Sequence, residues 1–134
     1  MNGYTREDLE TVADSLLGIP YKPGAIGELG CNCTGLVCMF FHRFGINIPF
    51  ALSHDPVEVL AHDFSSFFDA VESPKDGDVA RFATKADATS GHIGIVIGSN
   101  ILHVHHRRGV VRTPQHHMPI AGWYRLNGKA TKAP

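Results

Sequence analysis

A chain of 134 residues, 43% of them hydrophobic, holds enough apolar side chain for one core and too little for two. Its formal net charge of -1, with Lys and Arg interspersed among Asp and Glu, leaves no basic footprint, so neither nucleic acid nor a membrane is an expected partner. Three cysteines, an odd count, argue against a disulfide scaffold, and no stretch is apolar for long enough to span a bilayer.

The first nine residues lack the basic and apolar regions of an export leader, which predicts synthesis in the cytoplasm. Thr5 followed by Asp8 reads as a capping box, and Leu9, Val12, Ala13, Leu16 and Leu17 form one apolar face of a helix that Gly18 closes. A loop rich in proline and glycine follows at 19–24, with Tyr21 in its middle.

Gly-Cys-Asn-Cys-Thr-Gly-Leu-Val at 30–37 is the stretch around which the chain is organised. Asn32 is a good N-cap, Leu36, Val37, Phe40, Phe41 and Phe44 recur at helical spacing, and Gly45 is a natural stop. Cys33 then occupies the first helical position, where unpaired N–H groups and the positive end of the helix dipole favour a thiolate. Cys38 is expected in the core. After a connector at 46–50, Asp55-Pro56-Val57-Glu58 starts a third helix that is predicted to run to about Phe68. His42, His54 and His62 read as surface residues.

From Asp78 onward the texture changes. Short β-prone runs at 79–82, 92–97, 101–106, 110–112 and 122–126, separated by turn residues, predict an antiparallel sheet. Helices first and strands second give an α+β domain, the N-terminal helices packed on one side of the C-terminal sheet. A single domain over 1–128 and a flexible tail at 129–134 are expected. Trp123 and Tyr124 read as ordinary sheet core.

Parity decides which histidines meet. A two-residue turn within Gly98, Ser99 and Asn100 puts His92, His103 and His105 on one face, whereas a three-residue turn puts His92 with Val104 and His106. A cysteine nucleophile needs a base, and the base needs a third polar group to fix its tautomer, which His103 can supply. Gly94 is expected to leave room on that face for the cysteine helix to approach.

Five motifs in this order resemble the NlpC family of papain-like cell-wall cysteine peptidases: Pro20-Tyr21, Asn32-Cys33-Thr34-Gly35-Leu36-Val37, Asp76-Gly77-Asp78, His92-Ile93-Gly94-Ile95 and Leu102-His103. The resemblance covers about residues 10–126 and implies a papain-like, NlpC-type fold. It further implies Cys33 as nucleophile, His92 as general base, His103 as the residue orienting it, and Tyr21 as a substrate or oxyanion contact. The implied activity is a cysteine hydrolase, endopeptidase or amidase, cutting amide bonds in the stem peptides of peptidoglycan without metal or other cofactor. A thiolate paired with His92 as a pre-formed ion pair is expected. The closing strands look most similar to tail-associated peptidases of phages, which implies a virion-tail component, with other tail proteins as partners, acting at the bacterial wall. Asn32 departs from the family's usual aspartate, keeping the cap and removing a charge.

Alternatives come from other classes. Cys31, Cys33, His103, His105 and His106 are respectable zinc ligands, and His116-His117 adds more, but His103, His105 and His106 cannot all point the same way from one strand, so a closed site is disfavoured. An inactive NlpC-like structural domain of a tail is another alternative. A lipid acyltransferase on a related fold is disfavoured because the cysteine precedes the histidine here. Cys31 is either tolerated or free to bond with a partner.

Overall fold

The computed structural model describes residues 3–49, 64–83 and 92–132. Helix α1 (Arg6–Leu16) begins at the capping box: the Thr5 hydroxyl oxygen accepts from the Asp8 N–H at 3.1 Å, and the Asp8 carboxylate accepts from the Thr5 N–H at 2.8 Å. Its buried face is Leu9, Ala13 and Leu16. Helix α2 (Cys33–His42) starts at Asn32, whose side-chain oxygen accepts from the Gly35 N–H at 2.8 Å. Eight of its residues, from Cys33 through Cys38 and then Phe40 and Phe41, are buried, which makes it the central helix.

The strands are β1 (Ile46–Asn47), β2 (Phe68–Val71), β3 (Val79–Phe82), β4 (Ile93–Ile97), β5 (Asn100–His105), β6 (Gly109–Pro114), β7 (Ile120–Leu126) and β8 (Thr131–Lys132). Six of them form one antiparallel sheet in the order β2-β7-β3-β4-β5-β6. Side chains alternate across it. Val79, Ile93, Ile95, Leu102, Val104 and Val110 face the helices and join Leu9, Leu16, Leu36, Phe40 and Phe41 in the main core. Ala80, Phe82, Val96 and Ile101 form a smaller cluster on the opposite face, under Met118, Ile120 and Trp123. Each fully buried Phe or Leu contributes roughly 1.5–3 kcal/mol by leaving water. The result is the expected α+β domain with its helices on one side.

Two pins set the geometry around the site. After α1 the chain docks on β6, with the Gly18 N–H donating to the Val110 carbonyl and the Val110 N–H to the Ile19 carbonyl, both at 2.9 Å. Asp78, 3% exposed, receives Arg125 at 3.0 and 2.8 Å and also the Lys75 N–H at 2.7 Å, tying the turn before β3 to β7. Such a bidentate pair fixes direction as well as charge.

Three expectations need correction or fall outside view. The third helix lies mostly outside the described residues, and where the description resumes there is only a short helical turn, α3 (Ser65–Phe67), so that Phe68 already belongs to β2. Phe68 goes into the core as a strand residue, stacked on Phe64 at 4.7 Å, because β2 pairs with β7 from Phe68↔Leu126 to Val71↔Trp123. The expected tail is not wholly free: Thr131–Lys132 pairs with Ile46–Asn47, two residues on each side. Pairing with a partner distant in sequence leaves no local periodicity to read. Among the described residues no helix is long and apolar enough to cross a membrane.

Candidate active site

The site is assembled from a loop, a helix start and a strand pair. In the loop, the Cys31 N–H donates to the Pro20 carbonyl at 2.9 Å and the Lys22 N–H to the Cys31 carbonyl at 3.0 Å, forming a parallel bridge between Tyr21 and Cys31. This bridge buries Cys31 completely and holds Tyr21 at the surface, 38% exposed. The Asn32 N–H then donates to the Ala25 carbonyl at 3.1 Å, bringing the loop against α2. A Cβ at Gly35 would sit 2.3 Å from that same carbonyl oxygen, so only glycine fits two positions after the nucleophile candidate. Thr34 donates its hydroxyl to the Asn32 side-chain oxygen at 3.0 Å, locking the cap.

Cys33 takes the first position of α2, as its spacing predicts, and is 3% exposed. The backbone groups of Ile93, Thr34 and Cys33 itself lie close enough to its sulfur to favour the thiolate in part. Ile93 opens β4, so the helix start abuts the strand immediately after His92.

On the strand side, Ile97 pairs with Asn100 and leaves Gly98 and Ser99 as a two-residue turn. The parity expectation therefore resolves toward His92, His103 and His105 on one face. A cavity of about 460 Å³ brings together Tyr21, Cys33, Phe82, His92, His103 and His105 among its lining residues. Nε2 of His92 lies 3.3 Å from Nδ1 of His103, and Nε2 of His103 lies 2.8 Å from the hydroxyl of Thr113. Phe82 packs against both rings, tilted to His92 at 4.8 Å and edge-on to His103 at 5.6 Å.

His105 shares the cavity but is engaged elsewhere. Its Nδ1 accepts from the Arg107 and Arg108 N–H groups at 3.1 and 3.2 Å, bracing the turn between β5 and β6. The residue within reach of His92 Nε2 is His103. Gly94 has a different role from the one expected: a Cβ there would meet Ile101 Cγ2 at 2.6 Å, the Leu102 carbonyl at 2.7 Å and His103 Cβ at 3.1 Å. The space it opens is filled by the neighbouring strand, and it lets His103 close in rather than the helix.

Burial governs the charges. Removal from water pushes the Cys33 thiol up to about 11, against a partial lowering by the backbone hydrogen bonds. Burial, and secondarily the neighbouring His103 and His105, holds His92 down at about 4; burial and then His105 do the same to His103. Both shifts run against the ion pair expected from the helix-start position and favour a neutral thiol and neutral imidazoles in the same cavity. The helix terminus contributes roughly 0.3–1 kcal/mol toward the thiolate, less than burial takes away.

The zinc alternative finds no support in the placement of its ligands. Cys31 is sealed in the core with its thiol pushed up to about 11, first by burial and then by Cys33. All three cysteines are unbridged, and among the described residues no three His, Cys, Asp or Glu side chains are placed to hold a metal ion. Thr113 is the site residue that the sequence reading omits. A parity count across the next turn, His105↔Gly109, would have put it on the histidine face.

The family model described as NlpC/P60 matches residues 18–126, from the loop after α1 to the end of β7. The chain belongs to the NlpC/P60 family. Solved NlpC/P60 structures share its fold. The NlpC/p60 domain of peptidoglycan hydrolase SagA superposes with a TM-score of 0.66 at 16% identity, covering 91% of this chain and 99% of that one. An NlpC/P60 family protein from Bacillus cereus ATCC 10987 gives 0.69 at 25% identity, over 91% of this chain and 40% of that one. The P60 domain of antigen MAP1204 from M. avium subspecies paratuberculosis gives 0.63 at 16%, over 89% and 91%. The chain therefore spans a whole NlpC/P60 domain of SagA and less than half of the Bacillus cereus protein. No curated protein sequence matches it. The NlpC/P60 family consists typically of cell-wall peptidoglycan hydrolases.

Proposed function

We propose that this protein is a cysteine hydrolase that cleaves an amide bond in the stem peptides of peptidoglycan. The observation that carries the reading is one cavity holding Cys33, at the first turn of α2, together with His92, whose far nitrogen is occupied by His103. Family membership supplies the substrate class, and SagA is a peptidoglycan hydrolase of the same fold.

With Nε2 of His92 turned to His103, Nδ1 is the nitrogen left for proton traffic. The Cys33 proton passes to it as the sulfur bonds to the substrate carbonyl carbon, so the thiolate forms only when substrate is present. The oxyanion is taken up by the Cys33 N–H at the helix start, with Tyr21 on the cavity rim beside it. Collapse breaks the C–N bond while His92 returns its proton to the leaving amine. A water, deprotonated by His92, then hydrolyses the thioester and restores the thiol. His103 holds the His92 ring throughout.

Delivery to the wall as a component of a phage-like tail completes the proposal and rests on the resemblance of the closing strands alone. Detection of the protein by mass spectrometry in purified tail particles checks it; absence from them refutes it. For the activity itself, unmodified protein and Cys33→Ala are incubated with purified peptidoglycan and the released peptides weighed. Release by the unmodified protein alone is expected. Release by both, or by neither, overturns the assignment.

A further inference from the structure

Strands β5 and β6 pair so that Ile101 faces Thr113 and His103 faces Val111. Thr113 is therefore the diagonal neighbour of His103 on the same face, within side-chain reach. Its hydroxyl oxygen lies 2.8 Å from His103 Nε2, while the opposite ring nitrogen of His103 lies 3.3 Å from His92. Phe82 flanks His103 with an apolar edge-on ring, so the polar contact at Nε2 comes from Thr113.

Two neutral imidazoles and a hydroxyl in a row can be polarised in either of two directions. In one, His92 Nε2–H donates to His103 Nδ1 and His103 Nε2–H donates to Thr113. In the other, every donor and acceptor is exchanged, and the His92 proton sits on Nδ1, where no lone pair remains for a thiol. We propose that Thr113 is a positioning residue that accepts the His103 Nε2–H and so sets the first direction, keeping His92 Nδ1 unprotonated for Cys33. This direction also needs no rearrangement during turnover: when His92 gains a second proton, its Nε2–H already points at an acceptor. A hydroxyl end, unlike a carboxylate, adds no charge to the chain, which suits two buried imidazoles held neutral.

The consequence for catalysis rests on the hydrolase reading; the direction of the hydrogen-bond chain does not. The test therefore has two arms. Nitrogen-15 histidine spectra at neutral pH report which ring nitrogen of His103 carries the proton, whether or not the protein is active. Peptide release from peptidoglycan reports kcat and KM for unmodified protein, Thr113→Ser and Thr113→Val. The expected result is a proton on His103 Nε2 in unmodified protein and in Thr113→Ser. In Thr113→Val that preference is lost and kcat falls by about tenfold, the equivalent of one net hydrogen bond, with KM unchanged. A proton on His103 Nδ1 in unmodified protein overturns the proposal, and this arm stands even if Thr113→Val does not fold. So does an unchanged tautomer and kcat in Thr113→Val, or a Thr113→Ser that behaves like Thr113→Val. If the unmodified protein releases nothing, the hydrolase reading fails while the spectra still decide the role of Thr113.

Discussion

Cys33 has the position of an activated thiol and the surroundings of a protected one. Its place at a helix start, the cap at Asn32, and the histidines that share its cavity were all legible, because they depend on residue type and spacing. The charge state was not, because it depends on burial, which brings desolvation from parts of the chain far from 30–37. A pH series of iodoacetamide alkylation with peptide mapping separates the two descriptions. Labelling of Cys33 should stay slow through neutral pH and climb only above the ordinary thiol value of 9.0. A rate already high and flat from mildly acidic to neutral pH would restore the ion pair.

At the scale of elements, the hairpin of β4 and β5 shows what pattern alone can achieve. Gly98, Ser99 and Asn100 narrowed the turn to two lengths, and each length assigned a different set of histidines to the cavity. The actual turn of two residues then placed His92 and His103 together. Strand β2 was not legible in the same way: four residues with only Phe68 buried give no alternation to follow. Gly94 was noticed but misread, because a missing side chain says that something approaches, not what. Since that neighbour is the β5 backbone and His103 Cβ, Gly94→Ala should destabilise the fold by about 1–3 kcal/mol, as overpacking does, and should also lower activity. Gly27→Ala, with nothing within 4 Å of the added atom, serves as the control and should cost little. Urea unfolding of both variants checks the contrast, and equal stability would refute it.

For the molecule as a whole, the groups kept neutral at the site shape the dependence of stability on pH. A histidine takes up a proton near 6.5 when unfolded and at about 4 when folded at position 92 or 103. The unfolded state therefore binds more protons between those values, and stability is lost as pH falls through that window. The thiols of Cys31 and Cys33 act at the other end. Unfolded, they ionise near 9.0, folded at about 11, so stability is lost as pH rises from the first value toward the second. Asp76 extends the acid arm: burial raises its carboxyl, but Arg6 and the Gly98 N–H outweigh that and hold it below the usual range. Its contribution is present above the unfolded value and lost as pH falls through the folded one. Thermal melts should trace a dome with its top between about pH 7 and 8.5, and a profile without an acid arm would contradict the buried neutral histidines. Asp78→Asn should lower the melting temperature more than Glu28→Gln, because Asp78 is buried against Arg125 while Glu28 is exposed with Arg43 at 3.7 Å.

The whole account requires a sulfur from the helical half and an imidazole from the sheet half to act as one unit. Groups that act as a unit are not additive: once either is gone, the other has nothing left to contribute. The direct measurement is the rate of stem-peptide release by the unmodified protein, Cys33→Ala, His92→Ala and the double variant. Each single substitution should remove about as much activity as the two together. Losses that multiply in the double variant, or a His92→Ala protein that releases peptide at the unmodified rate, would contradict it.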